Sequence, residues 1–401
     1  MPETGEYQNK NIYKKLLSSQ RITPLDLARI IAMLIMITGH TLDSLANPAE
    51  LDISNFPWNI WHYIRRFTAP IFLTVSGAVH VFANKRDSNG RLSSWTIKRR
   101  IKMAVILTII GYFFMFPAYS LFDAFFVESK FWGPFFQVNI LQLIGFSLLF
   151  VLALFLLTKN DIQLGIISLI FALAITFSSP YVSHVNWFKY LPEGFAAYLS
   201  SDHGSLFPIF PYTSFMLYGV VLGTILKFVP ADKRTKFLIL TGIPVGSIII
   251  ITGYLLSEYY DNFTFNVLDK VNPSIILNQI GAVCIVMCFA ALIYTFTKKF
   301  SFYYAFFGKK ALFIYIVHLI LLYGTGWFPS IARIYPKSLS IITSIMISIF
   351  IIIITLGTAY FYDYSLYKFK KAKKYYRYAF FAIIVYFIAF GSLVQFLYKI
   401  L

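Results

Sequence analysis

The sequence predicts an all-α polytopic membrane protein of about eleven transmembrane helices, with its N-terminus cytoplasmic and its C-terminus exterior. Three observations carry this. The chain is 58% hydrophobic and only 13% charged, with a mean hydropathy of +0.69. Its apolar residues fall into successive runs of about twenty, the length that crosses a hydrocarbon core of about 30 Å. Its basic residues are distributed unevenly between alternate connections, which fixes a direction.

The runs lie near 25–45, 66–84, 101–121, 135–157, 161–179, 206–227, 236–257, 273–296, 308–329, 338–361 and 378–399. The fourth and fifth are separated only by the stretch around Lys159 to Asp161, so they form a tight helical hairpin. With the N-terminus inside and spans alternating, 26 Lys and Arg fall at cytoplasmic ends and eight at exterior ends, with Arg29 inside the first span. The clusters Lys85–Lys102, Lys227–Lys236, Lys298–Lys310 and Lys368–Arg377 all land inside. The acidic stretches Asp43–Asp52 and Glu258–Asp269 land outside. The formal charge of +18 therefore reads as orientation and contact with anionic lipid, with a phosphorylated cytosolic ligand as a second use. Nucleic-acid binding is not expected. Residues 1–24 form a cytoplasmic tail and residues 25–401 a single membrane domain, without internal repeat or cleavable signal peptide. Cys284 and Cys288 lie four apart in the eighth span with no histidine nearby. They read as small apolar side chains, and no metal site is expected.

The first span, within RITPLDLARIIAMLIMITGH, carries Arg29 and His40. Eleven residues are close to a whole number of turns, so both lie on one helical face, roughly 16 Å apart along the axis. A cation inside a span costs at least roughly 2–3 kcal/mol and normally faces a bundle interior or a wet cavity. The plain structural reading is that Asp26 neutralises Arg29 and that His40 caps a polar helix end. The functional reading is a site, and helical geometry alone divides the two evenly.

Other polar residues gather toward the predicted exterior. The second span is entered through NFPWNIWHYIRRF, where Trp58 and Trp61 suit an interfacial aromatic belt. Two adjacent arginines, Arg65 and Arg66, with His62 beside them, suit a ligand carboxylate or phosphate. Asn139 and Gln142 share a face at the start of the fourth span, and Asn278 and Gln279 start the eighth. Such amides serve equally as interhelical glue. Pro208 and Pro211 remove backbone donors where the sixth span begins. Tyr315 and His318 lie near the middle of the ninth, where a lone histidine is more often an interhelical partner than a catalyst. An outward cavity above Arg29 and the basic loops is the simplest arrangement.

These residues also carry a resemblance. LDLARIIAMLIMITGH is similar to the acyltransferase-3 pattern of Arg, ten residues, then His, and RRFTAPIFLTVSG is similar to that group's entry to the second helix. NILQLIG, LFPIFPYTSFMLYGVVLG and FFGKKALFIYIVHLILL resemble, in order, bacterial proteins akin to heparan-α-glucosaminide N-acetyltransferase. The resemblance spans nearly the whole chain and identifies it as a multi-span membrane acyltransferase of the bacterial cytoplasmic membrane. It implies transfer of an acyl group, acetyl being the commonest, from cytosolic acyl-CoA to a hydroxyl or amine. The acceptor class is an exported glycan, a lipid-linked sugar or a small amine. His40 would be general base or acyl carrier. Arg29 would steady the donor phosphate or orient the bundle through Asp26, and Asn139, Gln142 or Tyr315 would serve as oxyanion donors. Arg65, Arg66, His62 and His318 complete the expected substrate-binding set.

One departure matters. Heparan-type proteins often carry Asn at the His40 position and a key histidine later, in the exterior loop. Here that loop has no histidine before His62, so the role falls to His40 or His62, and His40 is preferred. A secondary transporter or a lipid or glycan flippase is the alternative. It is disfavoured by the lack of a two-fold repeat and of an acidic residue deep in a span. The sequence leaves the oligomeric state open.

Overall fold

The computed structural model of the chain describes residues 21–52, 54–118, 120–261, 269–325, 330–369 and 371–390. Most of the predicted cytoplasmic tail, most of the acidic stretch Glu258–Asp269 and the end of the eleventh predicted span lie outside these residues. The long helices are α1 (Thr23–Leu45), α2 (Trp58–Arg65), α3 (Thr68–Ala83), α4 (Ser94–Phe114), α5 (Ile140–Leu157) and α6 (Asp161–His184). They continue with α7 (Ile209–Phe228), α8 (Arg234–Asp261), α9 (Pro273–Phe296), α10 (Ser301–Tyr323), α11 (Ile341–Lys368) and α12 (Ala372–Phe390).

The fold is all-α and polytopic. Among the described residues, nine helical segments are long and apolar enough to cross a membrane, with α2 and α3 counted together as one. The two remaining predicted spans are α4 and α12. Both are helical, and both begin among cations: Lys98, Arg99, Arg100 and Lys102 in one, Lys373, Lys374 and Arg377 in the other. Those charges shorten the apolar part of each. The predicted hairpin around Lys159 is present, since α5 ends at Leu157 and α6 begins at Asp161.

The described chain divides into two compact units. One is built from the described parts of Met1–Ala32, Arg66–Gly111 and Gln137–Lys309, the other from those of Met33–Arg65, Tyr112–Phe136 and Lys310–Leu401. Helices α1, α4 and α10 contribute residues to both.

In the first unit α7 packs against α3 and α6, and α8 against α9. Glycine makes these approaches close. A Cβ at Gly219 would overlap the Thr74 carbonyl, and one at Gly77 the Met216 carbonyl. Gly219 and Gly223 stand one turn apart on α7, the small-residue spacing that lets membrane helices meet backbone to backbone. An apolar core fills in around them, with Leu25, Ala28, Ile71, Val75, Leu226, Val283 and Met287 all buried. Arg86 closes the end of α5 by donating to the carbonyls of Phe155 (2.9 Å) and Thr158 and to Thr158 Oγ1 (2.6 Å). These are acceptors that a helix C-terminus would otherwise leave unsatisfied.

In the second unit, Leu339 N donates to the Leu45 carbonyl (2.9 Å) and Asn47 N to that of Leu339 (2.8 Å), which ties the end of α1 to the segment before α11. Ser348 Oγ donates to Thr38 Oγ1 at 3.0 Å. Lys310 on α10 forms an ion pair with Asp363 on α11 and lies over the Tyr362 ring. Helix α10 ends at Gly324, whose positive φ of 62° suits glycine and lets its N–H reach the Ile320 carbonyl at 3.0 Å.

Candidate functional site

Within the second unit, a polar cluster forms around His40. The last turns of α1 place His40 and Ser44 four residues apart on one face. Both meet Tyr323, the final residue of α10. The Tyr323 hydroxyl lies 3.3 Å from His40 Nδ1, and Ser44 Oγ donates to it at 3.1 Å. His318 stacks on His40 with ring centroids 5.8 Å apart and planes 15° from parallel, and Tyr315 meets His318 edge-on at 5.0 Å. His318 is fully buried at 0% exposure, and neither of its ring nitrogens has a partner of hydrogen-bond geometry. Its ring lies between the parallel His40 ring and the edge-on Tyr315 ring. Beside the cluster, Arg65 on α2 forms an ion pair with Asp43. His62 lies three residues before Arg65 on the same short helix.

Four expected site residues thus stand together in one unit, His40, His318, Tyr315 and Arg65, with His62 on α2. Two residues that the sequence did not single out, Tyr323 and Ser44, complete the cluster. Their signal was weak, because Tyr323 is one of 28 tyrosines in the chain. Only the approach of α10 to α1 distinguishes it.

Arg29 belongs to the first unit. Its Nη1 donates to the Gly308 carbonyl (3.2 Å) and Nη2 to Ser76 Oγ (3.4 Å), and its guanidinium lies over the Phe72 ring. Its Nε is buried without a hydrogen-bond partner. The expected Asp26–Arg29 pairing is not what the structure shows. Asp26, 4% exposed, accepts instead from Arg21 Nε (2.7 Å) and Nη2 (3.1 Å). The reason is geometric: the guanidinium fork of Arg21 grips both carboxylate oxygens, and its Nη2 also reaches the Ala305 carbonyl. Asp26 still acts on Arg29 through space. Gly308 permits the arrangement, because a Cβ there would overlap Asp26. Beside α3, Arg100 Nε donates to the buried Asn84 Oδ1 at 2.7 Å. The first unit therefore concentrates cationic side chains around α3, with Asp26 engaged by Arg21. Arg66 also lies in this unit and is exposed.

Asn139 and Gln142 stand at the start of α5. Asn139 is the N-cap of α5, and Gln142 Oε1 accepts from Asn139 N at 3.2 Å while its Nε2 donates to the Gln137 carbonyl at 3.4 Å. This is a capping box, the reciprocal arrangement that satisfies donors at a helix start. Gln142 is 0% exposed and packed against Gly111. Helix α7 is irregular where proline was expected to act: Pro208 is its N-cap, and Phe210 has non-helical backbone angles. Cys288 Sγ donates to the Ile239 carbonyl at 3.3 Å. Among the described residues no three His, Cys, Asp or Glu side chains are grouped to hold a metal ion.

Chemically, the His40 cluster offers an imidazole with one nitrogen held by a phenol and the other left over. A family model described as heparan-alpha-glucosaminide N-acetyltransferase, catalytic, matches residues 21–260. That range takes in α1 to α7 and nearly all of α8, and so includes Arg29, His40, His62, Arg65, Arg66, Asn139 and Gln142. A search of curated proteins finds no match.

Proposed function

The chain belongs to the heparan-alpha-glucosaminide N-acetyltransferase catalytic family, and from that premise we propose that it transfers an acetyl or other acyl group from cytosolic acyl-CoA to a hydroxyl or amine of an exported glycan or similar acceptor. The family match makes it a membrane acetyltransferase. The donor, the acceptor and the roles of individual residues are our reading. One observation supports that reading above the others: His40, a titratable group inside a long apolar helix, meets Tyr323 and His318, with Ser44 on the Tyr323 hydroxyl, rather than apolar packing alone.

In this reading His40 Nε2 takes the proton from the acceptor hydroxyl or amine as its oxygen or nitrogen attacks the thioester carbonyl carbon. The C–S bond then breaks, and the departing CoA thiolate takes that proton from His40, so the imidazole returns to its starting form. A thioester is already activated, so most of what the protein supplies is positioning and charge stabilisation. His318 stacks behind the imidazole. Tyr315 stays the oxyanion donor of this reading, and Asn139 and Gln142 act mainly in the cap. Arg65 and His62 would meet an anionic group of the acceptor. Arg29, with Arg100 adding positive charge, would attract the donor's phosphates. With the N-terminus inside, as the charge distribution suggests, the Arg29 end of α1 would be the cytosolic end and the His40 end the exterior one. A bacterial cytoplasmic membrane fits that division.

The test is acetyl-CoA-dependent thiol release by the purified protein, with glucosamine as the probe acceptor and His40→Ala beside the wild type. Release that needs both acceptor and His40 is the expected result. Undiminished release by a folded His40→Ala protein would remove His40 from the chemistry, and His62→Ala would then be the variant expected to fail.

A further inference from the structure

We infer that Tyr323, itself held by Ser44, is a positioning residue that decides which nitrogen of His40 reacts. The inference rests on the proposed role of His40 and deepens it.

The physical problem is that a neutral imidazole carries one proton and can carry it on either nitrogen. A base must present its bare nitrogen to the acceptor, so the other nitrogen has to keep the proton. In solution the two tautomers interconvert freely, and only a fixed partner at one nitrogen selects between them. The Tyr323 hydroxyl is that partner, 3.3 Å from Nδ1. Its oxygen has two acceptor positions. Ser44 Oγ–H occupies one of them at 3.1 Å. The contact fits either tautomer of His40; the one we assign has Nδ1–H donating to the second position with the phenol proton turned away, which leaves Nε2 bare and able to take the acceptor's proton.

When Nε2 takes that proton, Nδ1–H remains donated to the phenol oxygen, so the imidazolium keeps its partner and the ring does not turn. The other neighbours hold the ring without competing for its nitrogens. His318 stacks face to face at 15°, and Tyr323 also meets the ring edge-on at 76°. The charged groups that act on His40 are Asp43 and Arg65, and these form an ion pair with each other. Ser44 acts one step further out. It is one turn beyond His40 on α1, so the helix that carries the base also carries the group that sets the phenol.

This assigns a role to a residue outside the matched family range, at the end of α10. It also predicts an order of effects: Tyr323→Phe removes the partner outright, Ser44→Ala loosens it, and Ser44→Thr retains the hydroxyl.

The experiment uses the full-length protein in detergent with ¹⁵N-labelled histidine, the His40 signals being identified by their loss in His40→Ala. In the wild type, neutral His40 is expected to show one protonated and one bare nitrogen. In Tyr323→Phe both signals should move toward the averaged values of an unfixed imidazole, with Ser44→Ala between and Ser44→Thr near the wild type. The same proteins, assayed with acetyl-CoA and glucosamine, should show kcat lowered about tenfold by Tyr323→Phe, roughly the worth of one hydrogen bond. KM for acetyl-CoA should stay near the wild-type value, and the limb of the pH–rate profile that reports His40 should move.

His40 signals unchanged in Tyr323→Phe would overturn the inference, since the spectrum needs no acceptor and no turnover. Failure of the underlying reading looks different. It would appear as full acyl transfer by His40→Ala, with the Tyr323-dependent spectrum intact.

Discussion

Asn139 set two physical roles in competition, and their magnitudes separate them. As an N-cap, its loss should cost the fold about 1 kcal/mol. As an oxyanion donor, its loss should lower kcat by about 10²–10³-fold. The capping box at the start of α5 predicts the first outcome: Asn139→Ala should melt a few degrees lower and turn over at nearly the wild-type rate per folded molecule. A hundredfold loss of kcat with an unchanged melting temperature would return Asn139 to the site. Arg29 is tested differently. Lysine keeps its charge but loses the planar fork that reaches Gly308 and Ser76. Arg29→Lys is therefore expected to weaken acetyl-CoA binding severalfold, and Arg29→Ala to weaken it further or to lower the melting temperature. A calorimetric titration and a melt that both match the wild type would leave Arg29 with neither proposed role. At this scale the sequence is legible where a residue type is costly in its setting, as Arg29 and His40 are inside an apolar run. It is silent on Tyr323, because a tyrosine near a helix end is ordinary until another helix is placed against it. It is incomplete on Asp26, because spacing along α1 points to Arg29 and cannot reveal that Arg21 folds back across the carboxylate.

Helices were legible because apolar length is a local property; their pairing was not. The motif YGVVLG shows small residues at four-residue spacing, yet nothing in it names α3 as the partner. The structure does, through Gly219 against Thr74 and Gly77 against Met216. A methyl group at Gly219 has nowhere to go, since the obstacle is backbone rather than a flexible side chain. Overpacking of this kind typically costs about 1–3 kcal/mol. Gly219→Ala should therefore lower the melting temperature and, by separating α3 from α7, disturb the setting of Ser76 and Arg29. Gly357 on α11 supplies the control, because a Cβ there meets nothing within 4 Å. Alanine is the better helix former by about 1 kcal/mol, so Gly357→Ala should be neutral or stabilising. Equal destabilisation by both substitutions would mean that helix propensity or detergent, not close packing, governs the response. The boundaries of α4 follow the same local logic. Ser93 Oγ accepts from Thr96 N at 3.2 Å, so the helix begins among the cations, ahead of the apolar run from which the third span was read.

Across the whole molecule, charge decides direction. The formal charge of +18 is concentrated in alternate connections, and negative surface potential at the cytoplasmic leaflet attracts such segments by about 1 kcal/mol per Lys or Arg near the surface. The Lys85–Lys102 connection holds seven of these residues, enough to dominate the orientation of the spans on either side. The prediction is read by labelling in intact cells with a membrane-impermeant maleimide. Cys284 and Cys288 are first replaced by alanine, and single cysteines are then introduced as Asn89→Cys and Asn55→Cys, both at exposed positions. Asn55→Cys should react from outside. Asn89→Cys should react only after the membrane is opened. The result bears directly on the chemistry, because the proposed donor is cytosolic and the proposed acceptor is exported. Position 55 lies in the loop just beyond the end of α1 that carries His40, and position 89 in the basic connection after α3. The reverse pattern would turn His40 toward the cytosol and the cationic cluster around Arg29 away from the donor. Acetyl transfer to an exported glycan would then require both substrates to approach from the wrong sides, and a cytosolic acceptor would replace it.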